Sequence, residues 1–270
     1  MAQAEEVLER MIKEAKVKPN KAIYYSLMNG YSTKGEMEAA EKVMEKVLQA
    51  KLTPNTSMYH CLLYGHTNKG DMVKAEQVFE RMVAVTGKSH VKTYNRLMKG
   101  YAITGDMQQA EKVMERMAAD KVKPSLGTYN TLLNMYATTG NMTQAEQVLR
   151  TMADTSILPN VATYNVLLSG YTAAGDLAEA EQVMERITAP NTATYNLLLQ
   201  AYLAKGDIDK TESALNRMRL ANVKLNAATY NTLVRGYTEA GALDKVEKIL
   251  EEMDVNNIPH LKAPAAEVSE

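Results

Sequence analysis

The sequence predicts an all-α fold, an α-α solenoid of about seven helical-hairpin repeats, and two periodic marks predict it. Tyrosines stand at Tyr24, Tyr59, Tyr94, Tyr129, Tyr164, Tyr195 and Tyr230, at spacings of 35, 35, 35, 35, 31 and 35. Glycines at Gly35, Gly70, Gly105, Gly140, Gly175, Gly206 and Gly241 follow the same spacings, including the single step of 31. Two marks that share one irregular step belong to one repeated unit. A fixed period of this size means stacked supersecondary units, each burying its apolar face on its neighbours rather than around one central core.

Residues 1–20 match only the second half of a repeat: "MAQAEEVLERM" parallels "MTQAEQVLRTM" from Met142. The chain is therefore expected to open in mid-repeat with a second helix alone. Seven repeats follow at 21–55, 56–90, 91–125, 126–160, 161–191, 192–226 and 227–260, and the tail 261–270 is expected to be disordered. The third repeat shows the anatomy. Tyr94, Leu97, Met98 and Tyr101 recur at helical spacing and give a first helix with one apolar face. Gly105 closes it, Asp106 caps the second helix with Gln109 in capping-box position, and Ala110, Val113, Met114 and Met117 form the second apolar stripe. Pro124 ends the unit, because proline cannot continue a helix. Gly30, Gly65, Gly100, Gly170, Ala201 and Gly236 share one position on the first helix, which reads as close helix–helix contact. The short repeat, 161–191, lacks four residues near the end of its second helix, close to one helical turn, so its facing is nearly kept.

Composition narrows the function classes. Hydrophobic residues make up 46% of the chain, too many for a disordered one. The methionines recur at packing positions such as Met82, Met117, Met152 and Met218 and read as core. The single cysteine, Cys61, excludes an internal disulfide and a cysteine-based zinc site. His60, His66, His90 and His260 have no ligand spacing, so no metal or other cofactor is expected. Glu76/Glu80 and Glu111/Glu115 recur with Arg81 and Arg116 beside them, which reads as a solvated outer face rather than acid–base machinery. No phosphate loop or nucleophile motif appears, so neither an enzyme nor a small-molecule substrate is expected. No apolar run approaches the length of a membrane span.

The Tyr-Asn pair early in the first helix, the Gly-Asp at the hairpin and the Pro-Asn at the end of the unit resemble the pentatricopeptide-repeat family. "LGTYNTLLNMYATTGNMTQAEQVLRTMADTSILPN" (126–160) is similar to its 35-residue form and "VATYNVLLSGYTAAGDLAEAEQVMERITAPN" (161–191) to a short form. The resemblance covers residues 1–260 and implies hairpins wound into a superhelix, residence in an organelle, mitochondrial or alternatively chloroplast, and single-stranded RNA held in a concave groove at about one base per repeat.

In that family the residue after the tyrosine and the last residue of the repeat read one base together. By position, the pairs here are Tyr25 with Asn55, His60 with His90, Asn95 with Ser125, Asn130 with Asn160, Asn165 with Asn191, Asn196 with Asn226, and Asn231 with His260. The Asn-Asn and Asn-Ser pairs imply a short pyrimidine run at repeats three to six. The first two pairs fall outside the usual set and are given no base. The alternative is that these asparagines satisfy neighbouring backbone or pack between hairpins. Many relatives carry a branched apolar clamp at the second position, where this chain has Ala22, Ser57, Lys92, Gly127, Ala162, Ala193 and Ala228.

The formal charge of −1 is not the usual footprint of a nucleic-acid binder, but the charge is unevenly spread. The first fourteen residues of the repeats carry Lys21, Lys34, Lys69, Lys92, Arg96, Lys99, Lys205 and Arg235 against Glu239 alone. These first helices line the groove in the resembled fold, so a neutral chain is expected to have a positive groove and an acidic back. Lys34, Lys69, Lys92, Arg96, Lys99, Lys205 and Arg235 are the expected phosphate contacts. Two readings follow. One is an organellar protein that grips a pyrimidine-rich segment of mRNA or rRNA. The other is a structural subunit of an organellar ribosome or other ribonucleoprotein, contacting rRNA and ribosomal proteins without reading bases. A protein scaffold without RNA is third.

Overall fold

The computed structural model describes residues 19–87 and 89–259. Among them are fourteen α-helices and no strand: α1 (Lys21–Lys34), α2 (Met37–Gln49), α3 (Thr56–Lys69), α4 (Met72–Thr86), α5 (Val91–Thr104), α6 (Met107–Ala119), α7 (Leu126–Thr138), α8 (Met142–Asp154), α9 (Val161–Ala174), α10 (Leu177–Glu185), α11 (Thr192–Ala204), α12 (Ile208–Leu220), α13 (Ala227–Glu239) and α14 (Leu243–Val255). The chain is the repeat-built all-α fold that the period predicts. Most of the leading half-repeat, His260 and the tail lie outside the described residues. The chain divides into two compact units, one up to Met135 and one from Tyr136 on.

In the first unit, α1 packs on α2 and α3, α3 on α4 and α5, and α5 on α6. The periodic tyrosines are the reason: Tyr24, Tyr59 and Tyr94 are at most 5% exposed, and Tyr94 lies tilted against Phe79 with ring centroids 5.2 Å apart. In the second unit, α9, α11 and α13 pack in the same succession, each with its own second helix. The short repeat matches expectation: α10 has nine residues where α12 has thirteen.

Hairpin closure follows the sequence signals. Gly140 adopts φ 76°, and the following N–H of Asn141 reaches back to the Tyr136 carbonyl at 2.9 Å. Asp106 accepts the N–H of Gln109 at 3.1 Å and caps α6. The shared small-residue position is a close approach: a Cβ on Gly100 would stand 2.4 Å from the Met72 sulfur, and the same holds for Gly65 against Met37 and Gly170 against Met142. Five of the seven second helices close on left-handed residues that are not glycine, Lys51, Lys121, Ser156, Asn222 and Asn257, which no sequence signal marked, whereas α4 closes on the left-handed Gly87 and α10 on a right-handed Arg186.

Glu80, Glu111 and Glu115 are exposed as expected, but Glu76 is not a solvated charge. Arg116 Nη1 lies 2.9 Å from both carboxylate oxygens of Glu76, forty residues earlier, and the Tyr101 hydroxyl donates to Glu76 at 2.8 Å. Arg116 also stands over the Phe79 ring at 4.7 Å. Glu41 with His66 and Arg81, Glu146 with Tyr171 and Arg186, and Glu181 with Tyr202 and Lys210 repeat the arrangement. Each such glutamate joins the next first helix and the next second helix. The charges therefore pair across repeats, not within one helix.

Candidate nucleic-acid interface

The spacing of Lys92, Asn95, Arg96 and Lys99 is i, i+3, i+4 and i+7, which puts all four on one face of α5. In the first unit that face is the floor of an open concavity of about 410 Å³, lined by these four residues with His60, Gly127 and Thr131. Among the described residues no carboxylate lines it. Lys92 and Lys99 are exposed, whereas Arg96 is half-buried, its guanidinium 4.5 Å from the centre of the Tyr64 ring. Arg96 Nη1 is buried without a hydrogen-bond partner. Burial depresses the Arg96 pKa, but a guanidinium remains charged in proteins. Burial and the positive charges of His90, Arg96 and Lys92 depress the pKa of His60, so at neutral pH this imidazole is uncharged. Arg96 is thus a cation held by an aromatic face, with no acid among the described residues paired to its donors.

The other expected phosphate contacts lie elsewhere. Lys34 and Lys69 end α1 and α3 at the hairpin side. Lys69 runs beside the Gly35 turn and helps the backbone hydrogen bond keep the Glu38 carboxyl below its ordinary range. In the second unit Lys205 sits in the same way over the Gly175 turn. Lys69 is nine residues past His60, about 14 Å along the helix, so this row follows the hairpin rim rather than the row of His60 and Asn95. Arg235 is exposed, one turn beyond Asn231 on α13.

Two of the expected pairs meet, each within one unit. Asn95 Nδ2 donates to Ser125 Oγ at 3.2 Å. Asn165 and Asn191 meet through Thr194, whose Oγ1 is 2.8 Å from Asn165 Oδ1 and 3.0 Å from Asn191 Oδ1. Asn196 is half-buried on α11, and its Oδ1 is buried without a partner. Its mate Asn226 caps α13. Asn130 is half-buried on α7 in the first unit, and Asn160 caps α9 in the second. Asn231 is half-buried on α13.

The last asparagine of a repeat is the N-cap of the next first helix, so it satisfies neighbouring backbone as the alternative reading expected. Asn160, Asn191 and Asn226 each accept the N–H of the threonine three residues on, at 3.0, 3.0 and 2.9 Å. Each threonine hydroxyl accepts the asparagine's own backbone N–H in return, a capping box. The string Asn-x-x-Thr before each apolar run was the available signal. The feature that escaped the sequence reading is the threonine itself: Thr93, Thr128, Thr163, Thr194 and Thr229 are all 0% exposed. They stand immediately before the tyrosine and were hidden by it.

Among the described residues no group of acids, histidines or cysteines is arranged to hold a metal ion, and no helix is long and apolar enough to cross a membrane.

Models of known families match along nearly the whole chain. The PPR repeat family matches residues 124–173 and 190–238, the pentatricopeptide repeat domain 87–139, the pentacotripeptide-repeat region of PRORP 1–110, and the PPR repeat 162–189 and 228–258. No curated protein matches. Among solved structures, the maize pentatricopeptide repeat protein PPR10 superposes with a TM-score of 0.62 at 21% identity, over 96% of this chain and 42% of its own. PPR10 in complex with an 18-nt psaJ RNA element gives 0.57 at the same identity, over 96% of this chain and 43% of its own. The PPR domain of Arabidopsis thaliana protein-only RNase P 1, in complex with tRNA, gives 0.51 at 19% identity, over 61% of this chain and 89% of that domain. The chain thus spans under half the length of PPR10.

Proposed function

Since the chain belongs to the pentatricopeptide repeat family, we propose that it binds single-stranded RNA of an organelle, a pyrimidine-rich segment of mRNA or rRNA, in the mitochondrion or alternatively the chloroplast. One observation carries this reading: the acid-free concavity of the first unit, where Lys92, Arg96 and Lys99 flank the base-facing Asn95. A cation face beside a row of amides is what a single strand requires, charge for its phosphates and donors or acceptors for its splayed bases. PPR10 was crystallised with an RNA element and the RNase P domain with tRNA, which supports the same class of partner here. Binding of oligo-U, oligo-C and oligo-A by the chain at several salt concentrations tests it. A salt-dependent affinity with C and U above A is expected, and equal binding of all three removes base reading.

A second reading has one observation in its favour. The second positions hold no large apolar clamp, since Ser57, Gly127, Ala162, Ala193 and Ala228 are small and Lys92 is charged. A chain that grips weakly per base suits a subunit of an organellar ribosome or other ribonucleoprotein, held by rRNA shape and by ribosomal proteins. Such a subunit stays with the ribosomal fraction after nuclease treatment, and a free RNA-binding factor leaves it.

A further inference from the structure

We infer that the buried threonine at the third position of a first helix is a positioning residue, which turns the amide of the preceding repeat's asparagine so that its Nδ2 faces outward and selects bases with an acceptor edge. This rests on the base-reading proposal above and adds to it which edge is read and what sets it.

Thr128 shows the arrangement in the first unit. Its Oγ1 receives the backbone N–H of Ser125 at 2.9 Å, so its own proton is turned elsewhere. Asn95 Oδ1 is 2.5 Å away, a separation normal for O–H···O and too short for N–H···O. Asn95 Nδ2 lies on the other side, 3.2 Å from Ser125 Oγ, as an N–H donor should. One of its two protons then remains for a ligand.

Thr194 repeats this in the second unit. Its Oγ1 takes the N–H of Asn191 at 3.2 Å and offers its single proton to two amide oxygens, Asn165 Oδ1 at 2.8 Å and Asn191 Oδ1 at 3.0 Å. Asn191 Oδ1 also accepts the Thr194 N–H at 3.0 Å. Both oxygens of this reading pair are held inward, and both Nδ2 groups are left as donors. A hydroxyl that is 0% exposed reaches no base itself and acts only through the asparagines.

Cytosine offers N3 and O2 on its pairing edge and uracil O2 and O4, whereas adenine offers N1 alone and guanine O6 alone. An outward donor pair therefore favours pyrimidines without any contact to the rest of the ring.

The same unit contains its own control. Thr229 makes the capping contacts to Asn226, with Oγ1 at 3.0 Å from Asn226 Oδ1, yet the Asn196 oxygen is buried without a partner. Asn196 lacks the lock that Asn165 has.

The test uses the full chain and the variants Thr194→Val, Thr194→Ser and Thr229→Val. Valine keeps the volume and removes the hydroxyl, and serine restores it if valine harms folding. In the RNA-free protein, the side-chain amide NMR signals of Asn165 are expected to move in Thr194→Val and to stay in Thr194→Ser and Thr229→Val. In binding, the ratio of oligo-C to oligo-A affinity should fall about three- to tenfold in Thr194→Val, the size of one misplaced hydrogen bond, with the salt slope unchanged. Thr194→Ser should keep the ratio, and Thr229→Val should lower the melting temperature alone. Unmoved Asn165 signals, or equal loss of discrimination in both valine variants, would overturn the positioning role. Moved signals in a parent chain that binds oligo-C and oligo-A equally would overturn base reading instead and, with it, the selection of an acceptor edge.

Discussion

The two units solve one repeat in different chemistry. In the first, the row that follows the periodic tyrosine reads Tyr25, His60, Asn95 and Asn130, and the floor beside Asn95 carries Lys92, Arg96 and Lys99. In the second, the row reads Asn165, Asn196 and Asn231, with Asn160, Asn191 and Asn226 capping the same helices, and the first helices offer only Lys205 and Arg235 as cations. On the proposed RNA-binding reading, the difference would separate grip from reading along one array. The first unit has the charge and an irregular row, half of it amides, and the second has an unbroken row of amides with little charge.

The largest expected effect tests the charge. Replacing Lys92, Arg96 and Lys99 together by alanine should lower the salt slope by about 2 and weaken every RNA alike, by roughly fiftyfold near physiological salt. The double change Lys205→Ala and Arg235→Ala in the second unit should lower it less, because Lys205 sits on the hairpin rim over Gly175. Equal losses from the two sets, measured by titration at four salt concentrations, would erase the distinction.

The next tests whether the clamps differ. Glu76 is 23% exposed and engaged by Arg116 and Tyr101, whereas Glu181 is 40% exposed and engaged by Lys210 and Tyr202. Glu76→Ala should cost about 2 kcal/mol and Glu181→Ala about 1 kcal/mol or less by urea unfolding, since a charged hydrogen bond counts for more as water is excluded. The carboxylates of Glu41 and Glu181 titrate below their ordinary value of 4.5. Glu181 owes this to Lys210 and Tyr202. Glu41, the first-unit equivalent, is pushed up by burial, and His66 and Arg81 outweigh that. A carboxylate with a lowered folded pKa stabilises above its unfolded pKa, so stability should be flat from neutral pH to about 4.5 and fall below it.

Most of the fold was legible because its causes are local and recur. Tyr94 and its equivalents announced the apolar face, Gly140 the left-handed turn, and the missing four residues the shortened α10. What was not legible depended on partners many residues away. Glu76 looked like a solvated charge because its ligand is Arg116, forty positions on and in the next second helix. Thr194 looked like an ordinary helix residue because Asn165, which it touches, is in the preceding repeat. The concavity was half legible. Helical spacing placed Lys92, Asn95, Arg96 and Lys99 together, but the backing of Arg96 by Tyr64 comes from a neighbouring helix.

Gly140→Val should destabilise by about 1–2 kcal/mol, the cost of a left-handed β-branched residue. A Cβ there meets nothing within 4 Å, so the loss is one of backbone conformation alone. Thermal melts that match the parent would contradict it.

The smallest effect is confined to the first unit. His60 titrates below the ordinary 6.5, so acidification through and below that value adds a cation to the concavity. RNA affinity should therefore rise severalfold between pH 7 and pH 5, by about the value of one added phosphate contact, and the rise should vanish in His60→Gln. A pH profile unchanged by that substitution would remove His60 from the interface.

The separation of grip from reading is tested most directly by changing Asn165 and Asn196 to alanine together and repeating the salt titrations with oligo-C, oligo-U and oligo-A. The salt slope should stay that of the parent, because no cation has been lost, while the preference for C and U over A collapses. A variant that keeps the preference, or that loses slope and affinity for all three RNAs alike, would contradict the assignment of reading to the second unit.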